Sequence, residues 1–275
     1  MTGGKRKRDS AMTRTFSVVC VGLTVLLALF VAVALAHVFA VPPAALRAAW
    51  SDGALASVLG VSLQTSLCAA LLALALGTPV AYVLARREFV GKTALETLLD
   101  LPVALPPMVA GLALLLLVSP AGTAGGLLAR AGVSLIFTKA GIVLAQFFVA
   151  LPFYIRAVRS AITAIPPSLP AAAALLRASE AYTFFHVILP LSREGMISGF
   201  VMCWTRALGE FGATAMVAGC IPGVTETLPV AIYTRATAGD LAQAGAAAFC
   251  LAGLSFVTLL LLRWMFRVET MRRAA

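Results

Sequence analysis

Long apolar runs recur along the whole chain, and they limit what it can fold into. Each run is long enough to cross the hydrocarbon core of a bilayer as a helix, which takes about 18 to 20 residues. Only 12% of the 275 residues are charged, whereas soluble domains carry about 25%. We therefore predict an all-α, polytopic membrane protein with six transmembrane helices. The predicted spans are Phe16–Val41, Ser57–Ala85, Leu101–Ser119, Ala140–Ser160, Gly195–Ala218 and Ala244–Trp264.

Lysine and arginine flank these spans unevenly. If the amino terminus lies inside, sixteen flanking basic residues face the cytoplasm and four face outward, namely Arg47, Arg130, Lys139 and Arg235. Cytoplasmic loops carry the excess of basic residues, so we predict a multi-pass protein of the cell (inner or plasma) membrane with both termini cytoplasmic. Residues 1–15 would form a basic cytoplasmic tail, residues 16–264 a single membrane domain and residues 265–275 a second cytoplasmic tail.

The net charge of +10 lies in these short loops, and the chain offers no soluble domain that could form a nucleic-acid-binding face. The five Cys and two His are scattered without the spacing of a metal site, and the cysteines are interpreted as small apolar filler. No G-x-x-x-x-G-K-[ST] phosphate loop occurs. We predict no metal, no cofactor, no nucleic-acid partner and no catalytic activity in this chain.

Two predicted membrane segments are irregular. The third span opens with Pro102, Pro106 and Pro107, which a regular helix interior does not accommodate. This opening is either a kinked entry near the cytoplasmic surface or a break that lines a pathway, because irregular backbone at membrane depth is tolerated where it borders a cavity. Residues 219–239 are too polar to span and too apolar for a free loop, so they would dip into the outer leaflet or cap the bundle, with Thr225 to Thr227 facing a partner, the pathway mouth or solvent.

The fifth span carries ionisable residues at membrane depth, where such residues are costly and usually functional. Arg206 and Glu210 are four residues apart and would share a helix face. They could form an ion pair that fixes helix packing, or Arg206 could attract a passing anion while Glu210 limits how tightly it binds. The candidates for the translocation pathway or its gate are Arg206, Glu210, Pro106, Pro107 and Thr214.

The predicted cytoplasmic segment 161–190 lies between the fourth and fifth spans. Residues 171–185 are predicted to form a short helix that Pro190 stops before the fifth span. An amphipathic helix of this length can lie on the membrane or insert into a groove of a partner, and its residues do not decide between the two.

The spacing of this segment resembles the E-A-A loop of ABC importer permeases, through which these subunits couple to their ATPase. Two residues depart from that pattern, since Ala171 stands in place of the glutamate and Arg177 in place of a glycine, which normally allows a tight turn. The coupling residues that the resemblance implies are Ala171, Ala172, Ala173, Arg177, Ala178, Ser179, Glu180, Val187, Leu189 and Pro190.

Several motifs are similar to those of the molybdate branch of these permeases. They are G-E-F-G-A-T-A-M-V-A-G (209–219), I-P-G-V-T-E-T-L-P-V-A-I-Y (221–233), A-G-D-L (238–241), D-L-P-V-A-L-P-P-M-V-A-G (100–111) and L-P-F-Y-I-R-A-V-R (151–159). The resemblance implies a type I permease fold and a dimer of this subunit. It also implies a cytoplasmic ATPase subunit that binds ATP and an outer oxyanion-binding protein. Sulfate or tungstate import is the alternative within the class, and a standalone secondary anion transporter or channel is the alternative outside it.

Overall fold

A computed structural model of the chain describes residues 3–51 and 53–274, with side-chain surroundings for residues 16–51 and 53–260. Every regular element in these ranges is helical, as predicted. The helices are α1 (Gly3–Phe39), α2 (Pro43–Ser51), α3 (Ala54–Arg86), α4 (Lys92–Ala104), α5 (Pro107–Val118), α6 (Thr123–Arg130), α7 (Lys139–Thr163), α8 (Ser168–Leu175), α9 (Glu180–Thr183), α10 (Leu189–Leu191), α11 (Arg193–Leu208), α12 (Gly212–Ala218), α13 (Leu228–Thr237) and α14 (Leu241–Ala274). A turn of π-helix, Phe184–Ile188, joins α9 to α10.

Four of the predicted spans are unbroken helices in the described part of the chain. Helices α3 and α7 are long and apolar enough to cross a membrane over their whole length. Helices α1 and α14 are so over Phe16–Phe39 and Leu241–Leu260. The third predicted span, whose prolines indicated an irregular helix, and the fifth, which was expected to be one helix, are each divided into two helices. The six-span arrangement is compatible with the structure if each broken pair counts as one span.

The centre of the bundle is the packing of α3, α7 and α11. Small residues recur every fourth position on α3, at Ala69, Ala73, Gly77 and Ala81, and all are buried. Such a stripe lets membrane helices approach closely. Tyr154 of α7 fills the space, since a Cβ atom on Gly77 would lie 2.8 Å from its ring. The Tyr154 hydroxyl is 2.7 Å from that of Thr78, which satisfies both polar groups inside the core.

The first break lies between α4 and α5, whose axes differ in direction by 113°. Leu105 is extended, with φ −77° and ψ 140°, as expected for a residue that precedes a proline. Pro107 then opens α5 at a position where a helix needs no N–H donor. The predicted span Leu101–Ser119 therefore crosses the break, with Leu101 in α4 and Pro107–Val118 forming α5.

Helix α4 is fastened to the end of α7 by two ion pairs. Arg156 Nε lies 2.8 Å from Asp100 Oδ1, and Arg159 Nη2 lies 2.9 Å from Glu96 Oε1. We call this end of the bundle the basic end, because Arg86 is also there and donates to the carbonyls of Ile162 and Ile165. It is the end that the distribution of basic residues predicts to be cytoplasmic.

The segment 219–239 is packed into the opposite part of the bundle. Thr225, Glu226 and Thr227 are buried, and the Leu228 N–H that begins α13 donates to Ser62 Oγ of α3 at 2.7 Å. The interpretation of Thr225 to Thr227 as an ordinary solvated loop is therefore wrong, because α13 packs on α14 and α3 and draws these residues inside.

Candidate functional site

The two helix breaks meet in space, and we call the place where they meet the junction. It consists of residues 105–108 and 209–212. A Cβ atom on Gly212 would lie 3.0 Å from Met108 N and 3.0 Å from Pro107 Cβ, and one on Gly111 would lie 2.6 Å from Ala213 Cα. The backbones of α5 and α12 are therefore in direct contact, and the absence of side chains at Gly111 and Gly212 permits it.

The Arg206–Glu210 pair joins the end of α11 to the second break of the junction. Arg206 Nη1 lies 2.7 Å from Glu210 Oε2, and the Glu210 side chain is 1% exposed while that of Arg206 is 29% exposed. The predicted pairing is thus present, but the expectation of a shared helix face is wrong, because α11 ends at Leu208 and Glu210 lies in the break. The pair closes across the break and not along a helix.

Glu210 also organises the helix that follows it. Its Oε1 accepts the Ala213 N–H at 2.9 Å, so one carboxylate oxygen binds Arg206 and the other caps the first turn of α12. A carboxylate at the amino terminus of a helix is favoured by the helix dipole and by the unpaired N–H groups there. The Arg206 charge is therefore neutralised by a carboxylate that is itself fixed by backbone.

The other predicted pathway residues lie at the same place with different surroundings. Thr214 is fully buried and its hydroxyl donates back to the Phe211 carbonyl at 2.7 Å. Pro106 and Pro107 are exposed at the bend. Glu210, Pro106 and Pro107 thus lie within the junction, and the two prolines are its exposed members. Arg206 in α11 and Thr214 in α12 lie on the helices that flank it.

The predicted helix over residues 171–185 is wrong, because the segment 161–190 turns back at Arg177. Arg177 has φ 59°, a left-handed conformation that L residues rarely adopt and that glycine adopts at no steric cost. The turn separates α8, which contains Ala171, Ala172 and Ala173, from α9. The tight turn that the resemblance associates with glycine is therefore retained, with an arginine in the strained position.

The residues after the turn begin a nearly continuous helical path to the junction. Ser179 caps α9 by accepting the Tyr182 N–H at 3.1 Å, Ala178 is half-buried, and Val187 lies in the π-turn. Leu189 and Pro190 lie in α10, one residue before α11. The expectation that Pro190 stops the helix is wrong, because a proline in the first turn of a helix loses no hydrogen bond.

Glu180 ties this path to the end of α3. The Arg87 guanidinium lies 2.6 Å from the Glu180 carboxylate and the Tyr82 hydroxyl donates to it at 3.1 Å. The hydrogen bond from Arg87, with that from Tyr82, holds the pKa of Glu180 below its ordinary value. Both members of the ion pair are 57% exposed, so the contact positions the segment more than it stabilises the fold.

Large apolar side chains are exposed around this turn. Leu175 and Leu176 are 85% and 83% exposed, and Tyr182 and Phe185 are also exposed. Several large apolar side chains exposed beside charged residues are typical of an interaction site. Residues 175–185 therefore have the features of a docking surface, and we call them the docking surface.

Sequence reasoning missed two residues that matter here. Arg87 is one of the sixteen basic residues that face the cytoplasm in the predicted topology, and its partner Glu180 is 93 residues away, too far for a sequence pattern to pair them. Gln146 is fully buried in α7, and both its polar side-chain atoms lack a partner among the described residues. A lone amide in an apolar span was the available signal for Gln146, since buried polar groups are normally satisfied.

Known proteins share this sequence pattern and this architecture. Residues 73–268 match the family described as binding-protein-dependent transport system inner membrane component. The chain is 38% identical over 216 residues to the molybdenum transport system permease protein ModB of Escherichia coli K12, covering 77% of this chain and 93% of the relative. It is also 38% identical over 185 residues to the sulfate transport system permease protein CysW of Synechococcus elongatus, covering 67% of this chain and 65% of the relative.

The fold is shared with solved transporter structures. A chain from the bacterial alginate ABC transporter, in complex with an alginate pentasaccharide-bound periplasmic protein, superposes with a TM-score of 0.71 at 16% identity and covers 98% of both chains. At that identity the likeness concerns architecture, and it agrees with the predicted type I permease fold.

Proposed function

Because the chain belongs to the family of binding-protein-dependent transport system inner membrane components, we propose that it forms the membrane pathway of an ATP-driven importer of molybdate. In this proposal two copies enclose the pathway, an outer binding protein delivers the oxyanion, and a cytoplasmic ABC ATPase supplies the energy. The chain itself performs no covalent chemistry, and ATP is bound by the partner. The observation that supports molybdate as the transported ion is the 38% identity to a molybdenum permease over 93% of that protein's length.

The junction suits an oxyanion that must pass without being held. A guanidinium attracts a tetrahedral dianion through hydrogen bonds and charge, and a lone buried arginine would bind it tightly. Here Arg206 Nη1 lies 2.7 Å from Glu210 Oε2, which neutralises its charge. A passing anion can therefore bind the guanidinium only by competing with a fixed carboxylate. The amino terminus of α5 contacts Gly212, two residues after Glu210, and adds a weak positive potential there.

The segment 161–190 suits the transmission of force from the ATPase. The exposed Leu175 and Leu176 would enter the partner, and Glu180 holds the turn against α3. From α9 the helical path runs through α10 and α11 and ends at Leu208, directly before the junction. A displacement at the docking surface would therefore move Arg206 relative to α12. The Glu210 carboxylate would stay with α12, because it accepts the Ala213 N–H of that helix.

Sulfate import is the second candidate, and the similarity to a sulfate permease favours it. Molybdate and sulfate are both tetrahedral dianions, and the charges at the junction do not distinguish them.

The proposal is tested with the permease, its ATPase and its binding protein reconstituted in sealed vesicles. We expect ATP-dependent uptake of labelled molybdate that a tenfold excess of sulfate does not suppress. Uptake that sulfate abolishes would assign the sulfate function, and uptake driven by an ion gradient without the ATPase would overturn both.

The predicted orientation has its own test. In a variant without the five native cysteines, Arg177→Cys should react with a membrane-impermeant maleimide only after the cells are opened. Arg130→Cys, at the other end of the bundle, should react in intact cells. Labelling of Arg177→Cys in intact cells would contradict the cytoplasmic position of the docking surface.

A further inference from the structure

An apolar cleft of about 520 Å³ lies between α3 and the α10–α11 region, apart from the junction. Leu71 and Leu74 form one wall, and Pro190, Ile197 and Phe200 form the other. Leu71 and Ile197 are exposed, as is Leu67 one turn before Leu71. An exposed apolar wall of this kind suits contact with lipid tails, which are as apolar as leucine.

One charged side chain, Arg193, joins these apolar residues in lining the cleft. Arg193 lies at the basic end, because Gly195 two residues later packs against Ala161 near the end of α7. Its guanidinium carries five donors, so it can bind a phosphate oxygen while it keeps a protein contact. The combination is an apolar slot with a cation at the level of the bundle's end.

We propose that this cleft binds an anionic phospholipid, with one acyl chain in the slot and the phosphate on Arg193. The acyl chain in the slot covers the apolar walls and separates them from mobile lipid. Each cation near the membrane surface favours an anionic headgroup about fivefold. Leu189 and Pro190 form part of the wall, so the bound lipid supports the helical path between the docking surface and the junction. The proposal does not depend on the transported oxyanion.

The test is native mass spectrometry of the full chain with phosphatidylglycerol and with phosphatidylcholine of the same acyl chains. We expect about fivefold tighter retention of phosphatidylglycerol. Arg193→Gln should remove this preference, and the control Arg130→Gln, which deletes the same charge at the opposite end, should keep it. Ile197→Trp replaces an exposed residue, so it should fold, and it should lower the retention of both lipids by filling the slot.

Four results would overturn the proposal. They are equal retention of the two lipids by the unaltered chain, an unchanged preference in Arg193→Gln, unchanged retention in Ile197→Trp, and full displacement of the lipid by glycerol phosphate, which has the charge but no chain. Disulfide cross-linking of Ile197→Cys between two copies in the membrane would also overturn it, because a second copy would then cover the cleft.

Discussion

Two Arg–Glu pairs of nearly equal length lie in opposite surroundings in this molecule. The pair at the junction, Arg206–Glu210, closes at 2.7 Å around a carboxylate that is 1% exposed. The pair at the docking surface, Arg87–Glu180, closes at 2.6 Å with both side chains 57% exposed. Removal of one partner at the junction leaves a buried charge, whereas water replaces the lost partner at the docking surface. The same chemistry thus fixes the fold in one place and only positions a segment in the other.

The largest expected effect comes from breaking the buried pair on one side. Arg206→Ala should destabilise the protein by about 3–5 kcal/mol, since it leaves Glu210 without its cation. The double variant Arg206→Ala with Glu210→Ala should be closer to the unaltered protein, because no charge is then stranded. Thermal unfolding in detergent measures both, and equal losses in the single and double variants would mean that the pair is not the stabilising unit.

The close approach of α5 and α12 should be nearly as sensitive. Gly111→Ala places a Cβ 2.6 Å from Ala213 Cα, which forces the backbones apart at a cost of about 2 kcal/mol. Gly60→Ala is the matched control, because nothing lies within 4 Å of a Cβ there and alanine favours the helix. Unfolding temperatures should fall for the first and hold or rise for the second. Equal temperatures for the two variants would contradict the contact.

A smaller effect of opposite sign is expected at the docking surface. Arg177→Gly should stabilise the protein by about 0.5–1 kcal/mol, since glycine removes the left-handed strain at φ 59° but loses more entropy on folding. Arg177→Ala deletes the same side chain and keeps the strain, so it should give no gain. An equal gain in both variants would attribute the effect to charge.

The smallest effect concerns the exposed pair and is visible through pH. The pKa of Glu180 is lowered in the folded chain by its hydrogen bond to Arg87. The stabilisation that ionised Glu180 gives to this segment is therefore fully present above the ordinary pKa of 4.5. It is lost as the pH falls through the lowered pKa of the folded chain. Amide exchange in residues 178–188, corrected for the intrinsic rate, should speed up on acidification in the unaltered chain and stay level in Glu180→Gln. Acid sensitivity that persists in Glu180→Gln would place the titrating group elsewhere.

The sequence could predict what depends on local pattern. Apolar length predicted α3 and α7 within a few residues, and prolines 102, 106 and 107 marked the first break. The second break was missed because G-E-F-G contains no proline, and its cause is tertiary, namely the contact of Gly212 with Pro107 and Met108 and the capping of α12 by Glu210. The turn at Arg177 was missed for a different reason, since alanine-rich sequence favours continued helix and no glycine marks its end. The turn is closed locally, by the hydrogen bonds from Arg177 N–H to the Ala174 carbonyl and from Ala178 N–H to the Ala173 carbonyl.

We propose that the junction lies on the route of the oxyanion while the docking surface receives the ATPase. It is tested most directly by molybdate uptake and ATP hydrolysis in vesicles that contain the double variant Arg206→Ala with Glu210→Ala, assembled with its ATPase and binding protein. We expect a folded complex that hydrolyses ATP and takes up at most about a tenth of the unaltered amount of molybdate, the loss expected for about 1.4 kcal/mol. Full uptake by this variant would contradict it, because neither member of the pair would then act on the transported ion.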